Sequence, residues 1–227
     1  MIEIEQLLEG WQVRLCQNLN STALLSKNPI AFKYKALHRC IMIRECVLWR
    51  THDLLTQAHI LFSQNHILGS RILIRSALET SAILIYLNQE IERVLEGQLS
   101  FHEFSDKTSK LSMGSRNKTT EHTSINIVTI LEKCNKKYLG ILDSYNTLSE
   151  DAHPNFEGLS FGYSRVDIEN CETRFGNFWH LRRDCHESLV DQIAKVVESE
   201  YNDVWTKNIK ELEKWLTEHD TKLKKIK

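Results

Sequence analysis

The sequence predicts an all-α fold, a bundle of long antiparallel helices, on two observations. Only eight Gly and two Pro punctuate 227 residues, too few for the frequent turns that sandwiches, barrels and doubly wound sheets require. Apolar side chains also recur at helical spacing over long segments. The 41% hydrophobic and 26% charged residues are ordinary globular values, which excludes disordered, collagenous and disulfide-dense classes. A single helical domain over 1–227 is expected.

Taken in order, residues 2–19 place Ile4, Leu7, Leu8, Trp11, Leu15 and Leu19 on one helical face, and Ser26-Lys27-Asn28-Pro29 turns the chain. From about Phe32 to Phe62, apolar pairs seven residues apart make a stripe wide enough for two neighbours. Ser63-Gln64-Asn65-His66 then reads as a tight turn, because Asn tolerates the left-handed conformation of a helix C-cap. The helix from about Ile67 to Asn88 is apolar nearly all round, as at the centre of a bundle. Residues 101–122, rich in Ser, Thr and Lys and without a sustained period, read as an exposed, mobile connection and as the internal boundary. Helices are expected at about Ser124–Asn135 and Tyr138–Glu150, stopped by Asp151-Ala152-His153-Pro154-Asn155. The stretch 156–176 holds three Gly and a short extended piece at 159–163. One long helix or two follow from Phe178 to about Thr217, ending in a frayed basic tail at 223–227. No internal repeat is visible.

Charge and cysteine usage narrow the function. A net charge of -1 provides no whole-molecule field for nucleic acid or membrane, so such binding would need a local patch. The start MIEIEQLLEG lacks a basic segment followed by an apolar run, so no secretory leader is expected. Arg71, Arg75 and Glu79 interrupt the apolar stretch 67–87, which argues against a membrane span. Six cysteines without CxxC pairs suit reduced thiols, hence a cytoplasmic location. No Walker loop, GxGxxG, GxSxG or HExxH occurs.

Four groups of residues invite chemistry. Arg71, Arg75 and Glu79, spaced by four, occupy a sector of about 80° on the most apolar helix. They are either a groove in which guanidinium groups hold phosphate and Glu79 orients them, or an ion pair on an exposed strip. His153, pushed out of the α region by Pro154, can serve in proton transfer, with Asn155 orienting it or binding a ligand. The alternative is a simple helix stop. His52, His59 and His66 are separated by steps of about 10.5 Å and cannot share a metal, which leaves them as flank residues. His180, Asp184, Cys185 and His186 lack a second ligand pair, so no metal and no cofactor are expected. Lys107, Lys110, Arg116 and Lys118 in the Ser/Thr-rich segment either grip nucleic-acid phosphates or keep a loop solvated.

The hairpin carrying Asp53-Leu54-Leu55-x-x-Ala58, Gln64-Asn65-His66, Gly69, Arg71, Arg75 and Glu79 resembles the HEPN superfamily of small helical domains. Leu148-Ser149-Glu150-x-x-His153-Pro154-Asn155 resembles the His-bearing element of HEPN-like proteins. Together they cover well under half the chain. The resemblance implies a bundle of four or more helices, often dimeric, in toxin-antitoxin, phage-defence and RNA-processing proteins. Many such proteins are metal-independent ribonucleases that use an Arg four to six residues before a His. The His maps onto His153, but Asn146, Thr147 and Leu148 occupy the Arg window. Either Arg71 or Arg75 supplies the charge, or the chain is non-catalytic.

Three readings follow. The first is an RNA-directed HEPN-like protein of a defence or toxin-antitoxin system. If catalytic, it would use His153 as acid or base and Arg71 and Arg75 on the phosphate, with Glu79 holding them. The second is a non-catalytic interaction module with a buried Arg/Glu/His network. The third is a small-molecule sensor around Arg75, Glu79 and His153. The expected partners are a second copy of the chain, RNA and a cognate protein, with no membrane.

Overall fold

The structure is a computed structural model that describes residues 4–224. The expected helix start at residue 2 and the end of the basic tail at 225–227 lie outside the described residues. Two 29-residue helices, α3 (Lys35–Ser63) and α4 (Ile67–Leu95), organise the rest. Each is about 43 Å long. They form an antiparallel hairpin through Gln64-Asn65-His66, where Asn65 adopts the left-handed conformation at φ +63°. The sequence places this turn correctly.

Around the hairpin lie α1 (Ile4–Gln12), α2 (Ser21–Lys27), α5 (Phe101–Met113), α6 (Ile127–Asn135), α7 (Ile141–Ala152), α8 (His186–Glu198) and α9 (Trp205–Leu223). Helix α4 touches α3, α5, α6, α7, α8 and α9, and Ile74, Ala77, Ala82, Leu84, Ile85, Leu87 and Ile91 on it are wholly buried. Its all-round apolarity therefore marks the centre of an all-α bundle, as expected. Helices α6 and α7 start three residues later than predicted. Between α8 and α9 the chain makes one π-helical turn, Ser199–Val204, so the C-terminal region is two helices joined almost without a break.

The helix expected over 2–19 stops at Gln12, and Ser21–Lys27 form a separate short helix, α2. Two further expectations are corrected. Residues 101–113 are not a mobile connection but a helix of the bundle. Ser100 caps it, and Glu103 returns the bond to the Ser100 backbone, a reciprocal capping box. Phe101 and Phe104 are buried, while Arg39 of α3 donates to Thr108 Oγ1 (3.1 Å) and to the Ser105 carbonyl (3.0 Å). The hydroxyls of Thr108, Ser109 and Ser112 satisfy themselves on carbonyls one turn back, so the helix can be packed without a long apolar stripe. Only 114–126 is a connection. The second correction falls at 159–163. This stretch belongs to a π-helical turn, Phe156–Phe161, and its exit, and the extended structure follows it as a hairpin of β1 (Ser164–Asp167) and β2 (Glu172–Phe175).

Because Phe104 is fully buried, Phe104→Ala lowers stability by about 3–5 kcal/mol in denaturant unfolding. No change would mean that 101–113 is outside the core.

Candidate functional site

The three charges spaced by four on α4 do different work. Arg71 is buried with a side-chain exposure of 3%, and its Nε lies 2.5 Å from Oδ2 of Asp151, itself buried near the end of α7. This ion pair bolts α7 to α4. Arg75, one turn on, is only partly covered: Nη2 donates to Tyr145 Oη (3.2 Å), the guanidinium lies over the Tyr145 ring, and Glu79 is 3.3 Å away. Arg75 Nε is buried without a hydrogen-bond partner.

Since Arg71 meets Asp151 and Arg75 meets Tyr145, α7 runs antiparallel to α4. His153, eight residues beyond Tyr145, is about 12 Å further along the chain, past the Arg71 pair and away from Arg75. It is exposed at the C-cap of α7, where its backbone N–H bonds to the Ser149 carbonyl. The structure does not place His153 in the cleft with Arg75 and Glu79. Asn155 accepts the Gly158 N–H at 3.1 Å and donates to Glu150, so it caps the next turn.

What does converge on Arg75 is the basic set from α5 and the segment after it. A cleft of about 580 Å³ between α4, α5, α7 and residues 114–128 is lined by Arg50, Arg75, Lys110 and Arg116, with Glu79 as its one carboxylate. Lys110 pairs with Asp106 at 2.7 Å, at the helix surface. Arg116 is exposed and has no partner among the described residues. Arg50 donates from Nε to Thr80 Oγ1 at 3.2 Å and has no carboxylate partner among the described residues. Gly114 closes the turn into this wall: a Cβ there would lie 2.2 Å from the Lys110 carbonyl oxygen and 2.6 Å from Ser124 Cα. The amino end of α6, capped by the Asn126 side chain on the Val128 N–H, adds partial charge of the same sign.

Lys107 and Lys118 take no part in the cleft lining. Lys107 is 2.7 Å from the buried carboxylate of Glu90, which Arg93 (2.9 Å) and Lys133 (3.5 Å) also approach. Burial alone would raise the Glu90 carboxyl, but the hydrogen bond and charge of Lys107, with Arg93 and Lys133, hold it below the usual carboxylate range. Lys118 is exposed in the loop. Sequence reading missed Arg50 and Tyr145, which carry no local signal because α3 and α7 bring them to Arg75, and Thr80, which lies on α4 itself and gains its role from Arg50. Among the described residues no group of three or more His, Cys, Asp or Glu can hold a metal. His180 and Asp184 are exposed, whereas His186 is buried.

His186, which the sequence offered only as a weak metal ligand, is buried against the hairpin. Its ring stacks on Phe62 at 3.7 Å and its Nδ1 lies 3.1 Å from Ser70 Oγ. Desolvation, with help from His59, Arg183 and Arg71, pushes its pKa down from 6.5 to about 4.

Comparison with protein families, with curated proteins and with solved structures finds no match for this chain.

Removing one partner of the Arg71–Asp151 pair, by Arg71→Met or Asp151→Asn, leaves an uncompensated buried group and costs about 3–5 kcal/mol. The double variant Arg71→Met/Asp151→Leu regains most of that in chemical denaturation. Arg75→Met costs far less than Arg71→Met, and equal losses would contradict the division of roles. Between pH 6.5 and 4 the unfolded chain protonates His186 and the folded chain does not, so this residue makes stability fall as pH falls. The loss amounts to about 3 kcal/mol at most. His186→Phe flattens that part of the pH–stability curve, and an unchanged slope would refute the assignment.

Proposed function

We propose that this protein is an RNA-directed, HEPN-like module of a defence or toxin-antitoxin system, working as a cytoplasmic homodimer with a cognate protein partner. In this reading the cleft around Arg75 binds phosphate and the single chain does not cleave RNA. The observation that carries the reading is the convergence of Arg50, Arg75, Lys110 and Arg116 against one carboxylate. Guanidinium forks match phosphate oxygens bidentately, and half of these cations have no carboxylate to neutralise them. A chain of net charge -1 that concentrates unpaired basic groups in one cleft is built to receive an anion there.

Cleavage would need a base or acid within hydrogen-bond reach of the ribose or the leaving oxygen; no histidine lines the cleft, and its other proton-transfer groups, Glu79, Tyr145 and Lys110, are engaged by Arg75 or Asp106. Arg71 is also withdrawn from catalysis by Asp151. The catalytic alternative therefore rests on the exposed His153 of a second copy reaching the cleft. The defence setting, dimer and cognate partner come from the resemblance of the helical hairpin and the His-Pro-Asn element.

Binding of a labelled single-stranded RNA, followed by anisotropy in EDTA across a salt series, tests the proposal. Arg75→Ala/Arg116→Ala weakens binding by at least about tenfold and lowers the slope of log K against log salt by about 0.7 for each phosphate that the variant no longer engages. Lys118→Ala leaves both unchanged, and the RNA stays intact. Equal affinity of wild type and double variant would sink the cleft as the site. Cleavage abolished by His153→Ala would instead favour the nuclease.

A further inference from the structure

The basic cleft continues past Arg50 and Thr80. These two residues, with Ile83 and Leu111, also border a recess of about 160 Å³ whose other walls include Met42, Ile43, Cys46 and Val47 of α3. The recess is mainly apolar, and Arg50 stands at the junction, tied to Thr80 by its Nε only. In the opposite direction the positive charge dies away. The groove beyond Lys110 sets Lys107, Lys110 and Lys133 against Glu103 and Asp106, and the next one balances Arg93, Lys133 and Lys136 with Glu90, Glu92 and Glu96. A polyanion lying across the surface would call for a basic track that continues. Here the positive charge is confined to one place, and an apolar recess adjoins it.

We propose that cleft and recess together hold one nucleoside phosphomonoester, its phosphate against Arg75, Lys110 and Arg116 and its base in the recess beside Arg50. A phosphomonoester carries close to two negative charges at neutral pH, against one for an internal diester, and so suits a dense, isolated cluster of cations. The planar guanidinium of Arg50 suits both roles at the junction, a donor to the phosphate and a flat face for the base. The cleft, at about 580 Å³, has the scale of small-ligand sites, roughly 300–1,000 Å³, and the recess extends it by about 160 Å³. The ligand is either a free nucleoside monophosphate or the phosphorylated end of a single strand, and only the second source rests on the RNA-directed reading above.

Titration calorimetry with the full chain separates these cases. The probes are adenosine monophosphate, ribose 5-phosphate, and one ten-nucleotide RNA with a 5′-phosphate, a 3′-phosphate or neither. Adenosine monophosphate binds at least tenfold more tightly than ribose 5-phosphate. Cys46→Trp, which fills the recess from an exposed position, removes that difference while ribose 5-phosphate binds as before. Arg50→Met, which keeps the recess open, reduces the affinity for both probes. A terminal phosphate raises RNA affinity at least tenfold if the strand end is the ligand. Adenosine monophosphate binding without any RNA binding would leave this inference standing and overturn the RNA reading. RNA binding that ignores a terminal phosphate, together with no preference for adenosine monophosphate over ribose 5-phosphate, would overturn this inference and leave the RNA reading intact.

Discussion

A helix surrounded by protein can carry a charge only where a neighbour supplies the opposite one, and the bundle around α4 is arranged to meet that condition. Arg71 has Asp151 of α7; Glu90 has Lys107 of α5, Lys133 of α6 and Arg93 of its own helix. Asn88 of α4 bonds to the buried Glu200 at the π-helical turn between α8 and α9, and Glu200 is met in turn by Lys137 and Tyr138. Desolvating such groups one at a time is costly, so each buried polar site on α4 specifies which helix lies against it and in what register. Apolar contact provides most of the stability but is indifferent to register.

The same condition explains why one stripe of charges yields two outcomes. Arg71 faces α7 where that helix is tightly packed, so its charge is cancelled and its role is structural. Arg75 faces α7 one turn on, where Tyr145 offers a hydroxyl and a ring face instead of a carboxylate. Glu79, 3.3 Å away and like Arg75 about a quarter exposed, neutralises it in part. The positive field at this end of the bundle is therefore left over from an incomplete cancellation. Lys110 and Arg116 reinforce it because α5 and the turn at Gly114 bring them to the same wall. Binding chemistry arises where the bundle stops pairing its charges.

His186 and His153 show how burial separates histidines of equal sequence interest. His186 is enclosed by Phe62 and Ser70 and is held neutral, so it belongs to the packing of α8 on the hairpin. His153 is exposed at a helix end and keeps its ring in solvent. The His-Pro-Asn element ends α7 and starts the next turn, as its Pro and Asn dictate.

By itself the sequence determined the helical class, the α3–α4 hairpin with its left-handed Asn65, the central place of α4 and the stop at His153-Pro154. These follow from local periodicity and backbone preference, which act over a few residues and are written in order along the chain. It also singled out Arg75, Glu79, Lys110 and Arg116 as basic or paired residues worth attention. Tertiary structure decided that α5, whose start is written locally in the Ser100–Glu103 capping box, belongs to the core, since the hydrogen bonds that secure it there come from Arg39, about 70 residues away. It alone took Arg71 and His153 out of the cleft and brought Arg50, Thr80 and Tyr145 in. Which charges cancel and which remain depends on helices distant in sequence meeting at one point, and no local pattern records that meeting.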